Sequence, residues 1–344
     1  MVRMLVGTEK GGFLVEGSGS DWEASGPLFP GWKVTAFGRT PDGTHLAAVG
    51  SNWFGIGIHR SSDLAQWEQI DAPPAWPEDS GRKMEQLWTF HTQGERVWAG
   101  VAHAGLFTSD DQGVSWSPIA GLNEHRTRDE WQPGLGGLCA HRVMVDGDSQ
   151  WVAISAVGVL RSDDGGRNWE LKNDGVDPAG VPEDAPRPEV GYCVHCIAHD
   201  AKDRNRIWRQ DHTGVYRTTD GGDSWERIEN GLPASFGFVM WRDDESGRLL
   251  TIPLEADRNR VPVNGDLRAF KSDDDGESWQ PAGGGWSEAP QFTGVLRGAF
   301  DGDNRGAFCF GTTGGKLWVT EDNGEGWIEL RPSFPRIGAI SMLP

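Results

Sequence analysis

Residues Ser162 to Trp169 read SDDGGRNW, one copy of a pattern, S/T-x-D-x-G-x-x-W, that recurs along the chain. We call this pattern the Asp–Trp motif. Its aspartate can accept hydrogen bonds from backbone N–H groups of its own turn, and its glycine supplies a positive φ. Its tryptophan has a large apolar surface that can pack between sheets. The full copies run from Ser109, Ser162, Thr218, Ser272 and Thr320 to Trp116, Trp169, Trp225, Trp279 and Trp327, respectively.

Two incomplete copies precede the full ones. Ser61 to Trp67 is one residue short, and Ser20-Asp21 leads directly to Trp22. Successive motif tryptophans are separated by between 45 residues (Trp22 to Trp67) and 56 residues (Trp169 to Trp225). This period is typical of a four-stranded propeller blade. The sequence therefore predicts an all-β fold, a seven-bladed β-propeller, with residues 1–344 forming a single domain.

The segment after the last motif, residues 336–343, is apolar enough to be a strand but has no blade of its own. We expect this C-terminal strand to complete the first blade, because that arrangement closes the ring and removes an exposed sheet edge.

The composition limits the classes of partner. The chain has 51 acidic and 32 basic residues and a net charge of −19, so its surface repels nucleic acid and anionic membranes. No apolar run approaches the roughly 20 residues that span a bilayer. Residues 1–12 lack the apolar core of a signal peptide and are read as a first strand, so we expect a cytoplasmic protein. Four cysteines in 344 residues do not form a disulfide framework.

Aligning the blades places polar and aromatic residues at one mouth of the central channel, opposite the Asp–Trp motifs. Near the starts of the inner strands these are Thr35, Trp88, His141, His195, Phe238 and Arg297. In the loops between second and third strands they are Thr8-Glu9-Lys10, Ser51-Asn52-Trp53, His103, Asp211-His212, Glu255 and Thr312-Thr313. Because channel mouths of closed β architectures often bind ligands, we predict the functional site here.

Each residue type suggests a role in binding or acting on a small, polar, carbohydrate-like ligand. Histidine titrates near neutral pH, and the predicted acid–base groups are His141 and His195. Glu9 and Glu255 are predicted as a carboxylate partner or second acid. The predicted substrate-binding residues are Lys10 and Arg297 for an anionic group, Trp53 and Trp88 for a sugar face, and His103 and His212. The alternative for Arg297 is a structural ion pair with Glu9 or Glu255.

A metal site is a further hypothesis, although the sequence assigns no cofactor. Cys-x-His occurs at Cys139–His141 and at Cys193–His195, and residues i and i+2 share a face of a strand. Thiolate and imidazole are suitable zinc ligands. A catalytic metal can instead use His141, His195 and either His212 or His103. The other interpretation is two buried thiols and two hydrogen-bonded histidines.

Long connections at residues 71–86, 122–137 and 172–191 are candidates for walls around the mouth. The most charged of them contains HRTRDEW, residues 125–131. A solvated surface loop is an equally acceptable interpretation of this segment.

The Asp–Trp motifs resemble the Asp-box, or BNR, repeat, which in its family lies on the hairpin between the third and fourth strands of each blade. Three segments, GTEKGGF (7–13), EWQPGLGGLCAH (130–141) and FGTTGGKLW (310–318), resemble bacterial BNR-repeat propellers. These are often labelled exo-α-sialidase or glycosyl hydrolase. The resemblance implies a sialidase-like propeller that acts as a glycoside hydrolase or lyase.

The chain lacks the F-R-I-P segment of true sialidases. Propeller lyases that use channel histidines, with or without a metal, are the closer chemical analogue. The alternatives are a non-catalytic binding propeller, resembling the photosystem II assembly-factor branch of the repeat family, and a metal-dependent enzyme that uses channel histidines.

Overall fold

The structure is a computed structural model that describes residues 1–51, 55–182, 184–256 and 258–344. Strands predominate in these ranges, and the helical segments are short. They are the α-helix α1 (Ala120–Asn123) and 3-10 turns at Glu78–Ser80, Arg128–Glu130 and Val263–Gly265. Within the same ranges, no helix has both the length and the apolar character needed to cross a bilayer.

The strands follow one another along the chain, and long connections separate β7 from β8, β11 from β12 and β15 from β16. The first half contains β1 (Val2–Thr8), β2 (Gly11–Ser18), β3 (Asp21–Leu28), β4 (Lys33–Arg39), β5 (His45–Ser51), β6 (Gly55–Ser61), β7 (Glu68–Gln69), β8 (Gln86–Gln93), β9 (Arg96–Ala102), β10 (Gly105–Ser109), β11 (Ser117–Pro118), β12 (Cys139–Asp146), β13 (Ser149–Ser155), β14 (Gly158–Ser162) and β15 (Glu170–Leu171). The second half contains β16 (Val194–Asp200), β17 (Asp203–Asp211), β18 (Val215–Thr218), β19 (Glu226–Arg227), β20 (Phe236–Gly237), β21 (Trp241–Arg242), β22 (Leu249–Thr251), β23 (Pro253–Leu254), β24 (Phe270–Ser272), β25 (Gln280–Pro281), β26 (Val295–Gly302), β27 (Phe308–Thr312), β28 (Leu317–Thr320), β29 (Ile328–Glu329) and β30 (Ile337–Leu343).

Consecutive strands pair antiparallel in groups of four. The groups β4–β7 and β16–β19 are separate sheets, and β26–β29 pair in the same order. The groups β8–β11 and β12–β15 repeat this order and are joined by one pair between Cys139 and Ala102. The group β21–β22–β24–β25 is less regular, with β20 and β23 forming a separate pair.

The C-terminal strand β30 lies beside the N-terminal strand β1, as the sequence predicts. The two strands pair antiparallel from Arg3–Leu343 to Thr8–Ile337. Strand β30 also meets β26 at Gly298–Ala339. The edge of β1 is therefore covered by a strand more than three hundred residues away in sequence, which removes a template for aggregation.

Each full Asp–Trp motif connects the third and fourth strands of its group, as the turn between β18 and β19 illustrates. Asp220 accepts hydrogen bonds from the Ser224 N–H (3.0 Å), the Ser224 hydroxyl (2.6 Å) and the Thr218 hydroxyl (2.6 Å). These hydrogen bonds lower the pKa of Asp220 to about 2, against the opposing effect of partial burial. Gly222 has a φ of 102°, which favours glycine.

Tryptophans pack between neighbouring sheets and hydrogen-bond across them. Trp151 on β13 donates its indole N–H to the Gly221 carbonyl oxygen (2.8 Å), and Trp208 on β17 donates to the Asp275 carbonyl oxygen (3.0 Å). Both acceptors belong to the motif turn of the next sheet. Both side chains are almost fully buried, and removal of such a side chain costs about 3–5 kcal/mol.

The first strands of the groups pack against one another around a central space, and we call them the inner strands. Contacts join β30 to β4, β4 to β8, β8 to β12, β12 to β16 and β16 to β21. The same register shift recurs near the start of β4, β8, β12 and β16, where one extra residue forms a bulge. The extra residues are Thr35, Trp88, His141 and His195, so the sequence alignment found structurally equivalent positions.

A bulge re-aims its side chain and disrupts the local ladder. Three of these side chains donate a hydrogen bond to the next inner segment. Thr35 donates to the Leu87 carbonyl oxygen (2.7 Å), His141 Nε2 to the Val194 carbonyl oxygen (3.0 Å) and His195 Nδ1 to the Gly237 carbonyl oxygen (2.6 Å). The accepting residues Leu87, Val194 and Gly237 directly precede Trp88, His195 and Phe238, respectively. These three are residues that the sequence alignment placed at equivalent positions. The bulges thus link successive sheets.

These hydrogen bonds determine the state of both histidines. Since a carbonyl oxygen only accepts, His141 carries its proton on Nε2 and His195 carries its proton on Nδ1. Burial, and secondarily the charge of Arg297, hold the pKa of both imidazoles well below 6.5. Both rings are therefore neutral at pH 7.

We expect Asp220→Ala to lower the free energy of unfolding by about 1 kcal/mol, because the turn loses hydrogen bonds to a charged acceptor. Thermal unfolding measures the change. Thr219→Ala, at an exposed neighbour outside these hydrogen bonds, is the control. Equal melting temperatures for wild type and Asp220→Ala would show that the aspartate does not stabilise the turn.

We also expect His141 to make stability depend on pH. In the unfolded chain the imidazole binds a proton near pH 6.5, whereas in the folded protein it stays neutral to a much lower pH. Stability is therefore lost as pH falls below 6.5, with a slope of at most about 1.4 kcal/mol per pH unit for one histidine. The variant His141→Gln retains an N–H donor and does not titrate, so its urea-unfolding free energy should fall less steeply.

Near pH 8 the histidine is neutral in both the folded and the unfolded state. The difference in unfolding free energy between wild type and His141→Gln at that pH therefore measures the packing effect of the substitution, which is subtracted from the differences at lower pH. Parallel pH profiles for wild type and variant would contradict the assignment of a buried, neutral His141.

Candidate functional site

A cavity of about 300 Å³ lies between the inner strands β4, β8, β12, β26 and β30. Of the six residues that the sequence aligned at inner-strand starts, Thr35, Trp88, His141 and Arg297 line it. The side chains of His195 and Phe238 lie beside Arg297 and outside the lining. We call this space the central cavity. It also extends along the strands to Arg39, His91, Arg142, Phe300, Asp301 and Ile340.

Arg297 has an unusual set of neighbours for a charged side chain. Its Nη2 donates to the Ser155 hydroxyl (3.1 Å), and its guanidinium lies 4.9 Å from the centre of the Phe238 ring. Its Nε is buried and has no hydrogen-bond partner. Within the described residues, no carboxylate lies within ion-pairing distance of Arg297. The structural pair with Glu9 or Glu255 is thus not formed.

The central cavity carries more positive than negative groups, in contrast to the whole chain. Arg39, Arg142 and Arg297 line it, and Asp301 is the carboxylic acid among its lining residues. Burial raises the pKa of Asp301 to about 6, although the Met342 N–H donates to its Oδ2 at 2.8 Å. The three arginines still outnumber this one carboxylic acid among the lining residues, so the cavity favours an anion.

A glycine-rich segment, residues 134–137, lies over Arg297 and Cys193. A Cβ added to Gly136 would stand 2.8 Å from Arg297 Nη1, so a larger residue here would displace the guanidinium. Gly134 lies next to Cys193, because a Cβ added to Gly134 would stand 3.7 Å from Sγ. The long connection at residues 122–137 thus contributes a wall beside these two residues.

Cys193 lies among polar groups. Its Sγ is 3.3 Å from the Ser155 hydroxyl and 3.6 Å from His195 Nε2. Burial raises the pKa of the Cys193 thiol. However, hydrogen bonds with His212 and Ser155 and the charge of Arg297 lower it by more, so the resulting pKa is below its ordinary value. At Cys139, burial raises the pKa to about 11, so that thiol stays protonated.

Two phenylalanines hold the histidine rings beside Cys193. The His195 ring is 4.4 Å from Phe238 and 5.0 Å from Phe236, measured between ring centroids. The His212 ring is 5.2 Å from Phe236 and 5.7 Å from His195. The backbone N–H of His212 also donates to Asp211 Oδ1 (2.7 Å), and Asp211 forms a buried ion pair with Arg209. The position of His212 is therefore well defined.

Several other predicted site residues lie away from the central cavity. Glu9 Oε1 is 3.6 Å from Lys33 Nζ, and His103 Nε2 is 3.3 Å from Glu85 Oε1. Glu255 accepts a hydrogen bond from Asn259 (2.9 Å). Lys10 is exposed, and Trp53 lies outside the described residues. The predicted site residues Glu9, His103, Glu255 and Lys10 do not line the cavity.

Sequence reasoning missed Ser155, Arg142 and Asp301. Ser155 is the last residue of β13. It lies where the second strand of its blade leads into the loop to the third strand, the region from which the sequence alignment chose residues in other blades. Extending the same alignment to the group β12–β15 identifies Ser155. Asp301 and Arg142 lie farther along inner strands, where no motif marks them. Only the packing of β12, β26 and β30 brings them to the cavity.

Specific contacts also order the connections at residues 122–137 and 172–191. His125 Nε2 contacts the Trp169 carbonyl oxygen (3.1 Å), and the Arg128 guanidinium lies 4.5 Å from the Trp131 ring centre. Arg126 donates to Glu189 (3.0 Å), which joins the connections at residues 122–137 and 172–191. These contacts make the HRTRDEW segment a structured wall and not a freely solvated loop.

No known protein-family model and no curated protein matches this sequence. Solved structures are similar in fold at low sequence identity. YCF48 bound to D1 peptide is 14% identical, with 86% of this chain and 81% of that chain covered and a TM-score of 0.53. A GH74 enzyme from Niastella koreensis is 13% identical, with 96% of this chain and 64% of that chain covered and a TM-score of 0.54.

The WD40 β-propeller domain of Doa1 is 10% identical, with 93% of this chain and 88% of that chain covered and a TM-score of 0.56. These likenesses show that the chain has a β-propeller fold. They include an enzyme and a peptide-bound protein, so they leave the chemistry to be argued from the site itself.

Proposed function

We propose that this chain binds a small, polar, anionic ligand of carbohydrate-like character at the central cavity, with Arg297 as its anchor. The observation that carries the proposal is Arg297, which lines the cavity and has no carboxylate partner in the described part of the chain. An unpaired charge removed from water is costly. A ligand carboxylate supplies the missing partner and can accept two parallel hydrogen bonds from the guanidinium.

The proposed reaction is β-elimination by a lyase: a base removes the proton on the carbon next to the carboxylate, a C=C bond forms, the C–O bond to the leaving sugar breaks, and the departing oxygen takes up a proton from water. Arg297 neutralises the ligand carboxylate, which makes the adjacent C–H more acidic. His141 lines the same cavity, and its Nδ1 is free to accept a proton because Nε2 donates to Val194. The negative charge of a bound carboxylate also raises the pKa of His141 and makes it a better base. Trp88 offers an aromatic face to a sugar ring.

A two-carboxylate glycoside hydrolase fits the cavity less well. Such enzymes need two acidic groups roughly 5–9.5 Å apart on either side of the scissile bond. Among the lining residues, Asp301 is the one carboxylic acid. Glu9 and Glu255 pair elsewhere. We therefore favour the lyase over the hydrolase.

Non-catalytic binding is the second candidate function. It is favoured by the use of both histidines as hydrogen-bond donors between sheets. In that case Arg297 still anchors an anion, but His141 serves structure alone. Turnover assays separate the two candidates.

The proposed architecture is a seven-bladed propeller of the sialidase-like superfamily, closed by β30 and formed as one domain over residues 1–344. The pairing of β30 with β1 and the motif hydrogen bonds support it. We further propose a cytoplasmic protein that acts on small molecules, and not on nucleic acid, since the net charge is −19.

We expect Arg297→Ala to weaken binding of short uronate-containing oligosaccharides by about 10- to 100-fold, the equivalent of one charged hydrogen-bonding group. The matched neutral oligosaccharides should bind wild type and variant alike. Isothermal titration calorimetry measures both.

Arg126→Ala provides the matched control, because Arg126 is exposed and pairs with Glu189 outside the cavity. An equal loss of affinity for charged and neutral ligands in Arg297→Ala would reject the role of Arg297 as an anion anchor.

For the lyase, His141→Gln should reduce the rate of elimination by about 10²- to 10⁴-fold, as expected for loss of a general base, while uronate affinity stays near that of wild type. The unsaturated product is followed by its ultraviolet absorbance. Ligand binding by wild type without any turnover would favour the non-catalytic alternative.

A further inference from the structure

We infer that Cys193, His195 and His212 form a binding site for a divalent transition-metal ion, with zinc as the best-matched ion. The ligand atoms of these three residues all lie within 4.8 Å of one another. The set differs from the paired Cys-x-His arrangement that the sequence suggested, because Cys139 and His141 lie outside it. The inference is independent of the proposed anion binding.

The spacing of the donors is that of a tetrahedral site. Zinc lies about 2.3 Å from sulfur and about 2.0–2.1 Å from imidazole nitrogen, which places the two ligand atoms roughly 3.6 Å apart at a tetrahedral angle. Cys193 Sγ and His195 Nε2 are 3.6 Å apart. The ligand atom of His212 lies within 4.8 Å of the other two, and its side chain is partly exposed.

The atoms that orient the ligands are also present. His195 donates Nδ1–H to the Gly237 carbonyl oxygen (2.6 Å), which leaves Nε2 unprotonated and directed at Cys193. Metal-binding histidines commonly donate their second N–H to a carbonyl or carboxylate in this way. The Ser155 hydroxyl lies at hydrogen-bonding distance from the sulfur. The buried Asp211 fixes the backbone of His212.

The types and number of ligands also indicate which metal ion binds and whether a coordination position stays open. One thiolate and two imidazoles suit a borderline-soft ion such as zinc, whereas magnesium and calcium prefer oxygen ligands. Three protein ligands leave a fourth position open, which is the arrangement of a catalytic zinc site. Phe236 and Phe238 pack against the two imidazoles. The site can therefore bind an exchangeable fourth ligand, such as water or a small anion.

A thiol–imidazole hydrogen bond between Cys193 and His195 is the competing explanation. This explanation also includes a hydrogen bond between the Cys193 thiol and His212. The two explanations differ in metal content, which can be measured without any knowledge of a substrate.

The test uses the full-length protein, freed of any histidine tag, incubated with zinc and dialysed against metal-free buffer. Mass spectrometry for metals should find about one zinc per chain in wild type. Cys193→Ser and His212→Ala should lose it, the latter at a half-buried position where the fold tolerates truncation. Cys139→Ser is the matched control and should keep the zinc, because its thiol lies outside the set.

Cobalt loading gives a second measurement. A cobalt–thiolate bond produces a charge-transfer absorption, which should appear in wild type and Cys139→Ser and be lost in Cys193→Ser. Wild type that binds no zinc while folded, or a Cys193→Ser variant that keeps its zinc and absorption, would overturn the proposal. Arg297→Ala should keep the metal, so failure of the anion site and failure of the metal site are distinguishable.

Discussion

The hydrogen bond from a bulged side chain to the carbonyl oxygen of the next inner segment is the interaction on which this site depends. It occurs at Thr35, His141 and His195 with the same relation between donor and acceptor. A carbonyl oxygen near a bulge must find a partner, because an unsatisfied buried polar group costs about 1–3 kcal/mol. Linking the sheets satisfies that requirement and also determines which ring nitrogen of each histidine remains available.

The same hydrogen-bond geometry explains why His141 and His195, at equivalent bulges, differ in their surroundings. His141 lines a cavity that Arg297 also lines, whereas His195 directs its free nitrogen toward Cys193. Ser155 contacts both Arg297 and Cys193. An anion site and a metal site can therefore be neighbours that share one hydroxyl group, although the chain as a whole is strongly acidic.

Much of the fold was predictable because the Asp–Trp motif is local. The hydrogen bonds of its aspartate carboxylate join residues at most four positions apart, so each turn can be recognised without its neighbours. The spacing of the motif then located Thr35, Trp88, His141 and His195 at equivalent bulges. The surroundings of Arg297 were not predictable in this way. Its contacts with Ser155 and Phe238 join distant groups of strands, and the partners of Glu9 and Glu255 depend on side-chain directions that sequence spacing does not encode.

The pairing of β1 with β30 has a consequence for synthesis in the cell. Translation produces Val2–Thr8 before Ile337–Leu343, so the first sheet lacks one strand until more than three hundred further residues have been made. During that interval the edge of β1 is available to other nascent chains. We therefore expect the yield of folded protein to depend on elongation rate, because two strands so far apart in sequence must meet in one sheet.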